Sequence, residues 1–99
     1  MSTFRDLDPL LHSQLRLSIV SLLISVRSAT FTFLLEKTGA TRGNISVQLR
    51  KLEEAGYIEI GKSFRDNYPL TTCRITQKGT EAFEKYVDAL KDYLKQGDR

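Results

Sequence analysis

A single cysteine, Cys73, excludes an intrachain disulfide and makes a reducing compartment the default. With His12 as the single histidine, the nitrogen and sulfur ligands of a metal centre are too few. Long apolar runs are missing as well: the longest, "SIVSLLISV" at 18–26, is too short to span a bilayer. The N-terminal "MSTFRDLDPLLHSQLRLS" has no uninterrupted apolar stretch behind a basic start, so it does not read as a secretory signal. There is no phosphate-binding glycine loop, no nucleophile elbow and no metalloprotease signature, so nothing argues for an enzyme or a cofactor. Repeats, low-complexity tracts and linkers are absent too, and 99 residues suffice for one domain with one modest core. These absences lead to the expectation of a cytosolic chain without a membrane partner.

What is present is ordinary in amount and uneven in placement. Forty per cent hydrophobic and 27% charged residues suit a folded chain. Of the net charge of +3, residues 1–40 carry +1, residues 41–75 carry +2 and residues 76–99 carry none. Within the middle segment Arg42, Arg50 and Lys51 occur with no acid before Glu53. A small basic excess is compatible with nucleic acid but does not alone argue for it.

Residues 1–8 are polar and read as loose. Pro9 suits a first helical turn with Asp8 as its N-cap, and the helix should run to about Val26. It carries two apolar stripes: Leu15, Ile19, Leu22 and Val26 on one side, and Leu17, Val20 and Ile24 on another. A helix apolar on two sides is buried on two sides, and in so short a chain the second side is a candidate for another subunit. "SATF" (28–31) reads as a strand fragment, with Thr32 capping a brief helix over 33–38 that Gly39 stops. Thr41 caps the next helix, which ends at Gly56 after a link tight enough for a helix-turn-helix. "YIEIGK" (57–62) and "TTCRIT" (71–76) are β-prone, and "SFRDNYPL" (63–70) reads as a long hairpin loop. Thr76 then caps a last helix. The order is that of a winged helix-turn-helix, an α+β and mostly α fold, over residues 9–76. A C-terminal dimerisation helix follows at 77–96, with a flexible tail at 97–99.

The 41–55 helix buries Ile45, Leu49 and Leu52 and turns Gly43, Asn44, Ser46, Val47, Arg50 and Lys51 outward. A recognition helix has this division, one stripe for its own domain and one for the major groove. Asn44 can pair with adenine, Arg50 can reach guanine or phosphate, and Val47 can meet a thymine methyl. Gly43 leaves room for a phosphate or sugar, and the helix start at Thr41 and Arg42 is an anion site. The bland alternative is a solvated face, against which stand the outward Val47 and the lack of acid. In the hairpin loop, Lys62 and Arg65 flank Phe64; Arg65 is the candidate groove contact, while Phe64 is expected to pack back on the sheet. Phe83, Val87, Leu90 and Leu94 form one stripe on the last helix, longer than a small winged domain covers. With Leu17, Val20 and Ile24 it suggests a symmetric dimer reading an inverted repeat in double-stranded DNA. Cys73 alternates with Ile75 on a strand face and reads as a buried structural thiol.

"ISVQLRKLEEAGYIEI" followed by "CRITQKGTEAFEKY" resembles the winged helix-turn-helix transcription regulators of bacteria and archaea, in particular the small group related to MarR-type and ArsR-type repressors. The resemblance covers residues 10 to 94 or so. Its marks are the S-x-x-L-x-x-L-x-x-A-G-Y-I run and the T-x-x-G opening the last helix. It implies a homodimeric DNA-binding regulator, a repressor that occludes a promoter, with Asn44, Ser46, Val47 and Lys51 at contact positions and Arg65 on the wing. The chain departs from ArsR-type metal sensors in lacking their cysteine and histidine ligands. It is also shorter than MarR-type chains, which leaves less room for a ligand pocket; an apolar small-molecule effector between subunits is implied by analogy alone. Two alternatives stay open: a winged-helix protein-interaction module, and an architectural DNA binder without sequence preference.

Overall fold

The computed structural model describes residues 3–95, so the expected tail at 97–99 lies outside the described residues. The elements run α1 (Gln14–Val26), β1 (Ser28–Thr30), α2 (Phe31–Thr38), α3 (Arg42–Glu54), β2 (Ile58–Arg65), β3 (Tyr68–Ile75) and α4 (Gln77–Lys95). The strands form one antiparallel sheet in the order β1-β3-β2. This is a winged helix-turn-helix, mostly helical, with a long C-terminal helix.

The first helix starts later than Pro9. Asp8 does cap, its Oδ1 accepting from the Leu10 N–H at 2.8 Å, but only for one turn. Ser13 then takes an extended backbone at φ −152°, and regular helix begins at Gln14. The two stripes of α1 are covered from within the chain except at Val26, which is exposed, because α2, α3, β3 and α4 pack around the helix. Val20, assigned by its spacing to a second subunit, is fully buried in this core together with Ile19 and Leu23. Leu17 and Ile24 are half-buried against the same cluster. Full burial of each such aliphatic side chain contributes roughly 1.5–3 kcal/mol.

The cap of α2 is Thr30, whose hydroxyl accepts from the Phe33 N–H at 3.1 Å, so Thr32 is left exposed inside the helix. Gly39 stops α2 at φ 69°. Two residues later Thr41 caps α3 as expected, accepting from the Asn44 N–H at 3.2 Å. Gly56, at φ 80°, ends α3 through paired bonds, its own N–H to Glu53 O at 2.9 Å and that of Tyr57 to Leu52 O at 3.0 Å.

The hairpin differs most from expectation. Residues 63–70 are not a long loop: the strands continue to a two-residue turn, Asp66-Asn67, with φ 51° and 68°. Asp and Asn tolerate left-handed geometry, and a two-residue turn with both φ positive matches the twist of paired strands. Pro69 fits a strand here because it pairs with Phe64, one step beyond the turn-flanking pair Arg65↔Tyr68. Its nitrogen then faces away from β2, where β1, paired only with residues 72–74, does not reach.

The A-G-Y and T-x-x-G segments prove to be two halves of one clasp. The Thr76 hydroxyl caps α4 by accepting from the Gly79 N–H at 3.0 Å, and it donates to Gly56 O at 2.7 Å. A Cβ on Gly79 would lie 2.2 Å from the Tyr57 carbonyl oxygen. The end of α3 and the start of α4 are therefore in backbone contact.

Residues 3–8, which read as loose, lie along α4. The Arg5 guanidinium bonds Asp88 at 2.6 Å and Asp92 at 2.9 Å, and Phe4 stacks on Tyr93 with ring centroids 4.8 Å apart. The Tyr57 hydroxyl donates to Asp8 at 2.5 Å, and burial with this bond pushes the phenol up to about 12. Hydrogen bonds from the Arg5 side chain and backbone hold the Asp92 carboxyl down to about 2. An unfolded Asp titrates near 3.9, so the Arg5–Asp92 pair is complete above about pH 4 and dissolves as pH falls toward 2. Arg5→Ala is expected to give, at neutral pH, the Tyr93 ring chemical shifts that the wild type reaches only in acid. Unchanged shifts in the variant would show that Phe4 holds the segment without the ion pairs.

Candidate nucleic-acid interface

α3 divides as its periodicity predicts: Ile45, Leu49 and Leu52 are buried, and Arg42, Gly43, Asn44, Ser46, Val47, Arg50 and Lys51 are exposed. Val47 is 46% exposed, an apolar side chain bare in the middle of a polar face. None of the described residues lies within 4 Å of where a Cβ on Gly43 would sit. The first-turn N–H groups of Arg42 and Gly43 have no carbonyl partner inside the helix and project from its start beside the Thr41 cap.

The wing stands on one side of this face. Ile60, Lys62 and Phe64 alternate along β2 on the side that meets Cys73, Thr71 and Pro69 of β3. Lys62 therefore is not a tip residue: with Ser46, Arg50, Thr71 and the acidic Glu53 at its inner end it lines a cleft of about 500 Å³ between α3 and the wing. Arg65 points from the opposite face of the ribbon, beside Tyr68 at the turn. Phe64 does not fold back on the sheet, since it and Tyr68 are each 76% exposed. At the ribbon's end no core remains to receive them.

Ion pairs leave the cations of this face without a counter-charge, as they do Arg16, Arg27, Lys37, Lys78 and Lys85 elsewhere among the described residues. Arg5 and Arg74 are held by carboxylates, Asp88 and Asp92 for the first and Glu59 for the second. Among the described residues, Arg42, Arg50, Lys51, Lys62 and Arg65 make no ion pair. Arg42 instead lies over the Phe31 ring, 5.6 Å from its centroid, which orients its charge at the α2–α3 junction without neutralising it. Sequence reasoning missed Phe31, Thr71 and the polar residues behind Asn44, because their roles depend on elements distant in the chain. Cys73 is buried, and burial, with the Glu53 charge adding, pushes its thiol up to about 11. That fits a structural thiol with almost no thiolate near neutrality.

On the far side, α4 carries the stripe assigned to a second subunit. Phe83 and Leu90 are half-buried against the core, whereas Val87 is 40% and Leu94 is 74% exposed. Among the described residues no helix is long and apolar enough to cross a membrane.

A helix-turn-helix with an unpaired basic face and an extended wing defines the chain as a winged-helix protein of the DNA-binding kind. Residues 15–94 match the winged helix DNA-binding domain, and the chain belongs to that family, one of transcription regulators and not of enzymes. It is 38% identical over 76 residues to an uncharacterized protein of Methanocaldococcus jannaschii, covering 77% of this chain and 83% of that one. It is similar to the structure of a transcriptional regulator homologue from Pyrococcus horikoshii, with 29% identity and a TM-score of 0.84 over 91% of this chain and 89% of that one. A mutant MarR of E. coli, solved with operator DNA, shares the fold at a TM-score of 0.72 and 17% identity; the match covers 89% of this chain and 62% of that one.

Proposed function

We propose that the chain is a homodimeric, sequence-specific regulator that inserts α3 in the major groove of an inverted repeat and lays its wing on the adjacent minor groove. It acts as a repressor by occluding a promoter. The observation that carries this reading is the grouping of Arg42, Arg50, Lys51, Lys62 and Arg65, all exposed and without an ion pair among the described residues, around the bare Val47 on α3 and the wing. In this reading Arg42, Lys51 and Lys62 meet phosphates, and Asn44, Ser46, Val47 and Arg50 meet base edges or sugars. Arg65 enters the minor groove from the wing tip. The exposed Val87 and Leu94 on α4 supply the contact between copies, with Phe83 and Leu90 behind them. Leu17 and Ile24 lie too deep to do more than support it, and Val20 takes no part.

The test is selection from random duplexes at physiological salt, with sequencing of what is retained. The expected result is an enriched inverted repeat with half-sites about 10 base pairs apart, centre to centre. Retention without enrichment would favour an architectural binder. A folded protein that retains no DNA would favour the protein-interaction module.

A further inference from the structure

Asn44 is exposed in the first turn of α3, yet its amide is not free to turn. The chain of bonds behind it begins at Arg16 of α1, whose Nε donates to the Leu10 carbonyl oxygen at 2.6 Å. The Arg16 Nη1 donates to Oε1 of Gln48, one turn along α3 from Asn44. A guanidinium has donors and no acceptor, so only the oxygen end of the Gln48 amide can face it. That leaves Gln48 Nε2 to donate to Oδ1 of Asn44 at 3.0 Å. Carboxamides can ordinarily be reversed end for end without a change of shape; here each is polarised by the group behind it.

We infer that Arg16 and Gln48 are positioning residues that fix the hydrogen-bonding polarity of Asn44, turning its Nδ2 amino group outward as a donor toward the base edges. The inference rests on the reading of α3 as the recognition helix. An outward donor complements an acceptor on the facing base: N7 of a purine, O6 of guanine or O4 of thymine. Cytosine presents only its N4 amino group in the major groove and so sets donor against donor. Cytosine is thus the base that Asn44 rejects, and the rejection is set from α1, outside the reading helix.

Gln48→Glu tests this because it preserves shape and strengthens the bond to Arg16, yet cannot donate to Asn44. The Asn44 amide then reverses, gives its Nδ2 hydrogens to the new carboxylate and presents Oδ1 outward. Selection from random duplexes would be run on the wild type, on Gln48→Glu and on Asn44→Asp, each checked for native fold by its amide spectrum. The expected result is that cytosine rises on the order of tenfold at one position of each half-site in Gln48→Glu, the same position at which Asn44→Asp gains it. If Asn44→Asp moves that preference and Gln48→Glu leaves it unchanged, the inference is overturned while the recognition-helix reading stands. If neither variant moves any position, Asn44 reads no base and the inference fails with it. If the wild type enriches no sequence, sequence-specific recognition itself fails. The polarity is also readable without DNA, as a scalar coupling across the hydrogen bond from Gln48 Nε2 to Asn44 Cγ in the free protein. That coupling is expected in the wild type and abolished in Arg16→Met; its absence from the wild type would overturn the inference.

Discussion

Gly79→Ala is expected to destabilise the fold by about 3 kcal/mol or more, because its methyl group meets backbone and not a side chain that could turn aside. The added Cβ would sit 2.2 Å from the Tyr57 carbonyl oxygen and 2.9 Å from Cδ1 of Ile75. Relief requires α4 to retreat from Tyr57, and retreat breaks the Thr76 bonds to the Gly56 and Tyr57 carbonyl oxygens. At the usual 4–8 °C per kcal/mol for a domain of this size, the melting temperature should fall by roughly 12–24 °C. A variant melting within a few degrees of the wild type would show that α4 slides off Tyr57 easily. Gly43→Ala makes the contrast. Its methyl group enters open space within a helix, so stability should hold or rise by up to about 1 kcal/mol. DNA affinity should nevertheless fall if a sugar or phosphate approaches as proposed.

The second large effect belongs to the free cations. Replacing Arg42, Lys51 and Lys62 together by alanine should lower DNA affinity about a hundredfold or more near 0.1 M salt. The slope of log affinity against log salt should flatten by about three, near one for each phosphate that a removed cation would have neutralised. Stability should change little, since none of the three makes an ion pair among the described residues. Arg74→Ala is the matched control: its charge is already held by Glu59 at 2.7 Å, so the slope should stay as in the wild type. Titration of duplex at several salt concentrations reads both. Equal slopes for the triple variant and the wild type would mean that this basic face lies away from the phosphates.

Local chemistry was legible wherever one segment decided its own structure. The buried stripe of α3, the Thr41 cap and the Gly39 and Gly56 stops are each settled within a few residues, and all are found in the structure. Reading went astray where two local signals competed. Thr30 and Thr32 are both competent caps, and the pairing of β1 with β3 selects Thr30 by ending the strand there. Asp8-Pro9 does open a helical turn, but Ser13 breaks it before α1 begins. Pro69 counted as turn chemistry although it occupies a strand whose outer edge is empty. At Val20 periodicity identified an apolar stripe correctly and could not say what covers it. The face on α3 was legible in its residue types; the orientation of Asn44 was not, because it depends on Arg16, remote in sequence and adjacent in space.

The shared hydroxyl between the last turn of α3 and the first of α4 also has a mechanical side. α4 has 19 residues and so extends about 28 Å from that point. It is a long arm anchored at one end by a joint with no slack, and the same joint holds the C-terminal end of the reading helix. A tilt of about 10° at the joint carries the far end of the arm through about 5 Å. In the proposed dimer, whatever grips Leu94 would thereby have leverage over the angle at which α3 meets the groove, and the absence of a Cβ at Gly79 keeps the pivot tight.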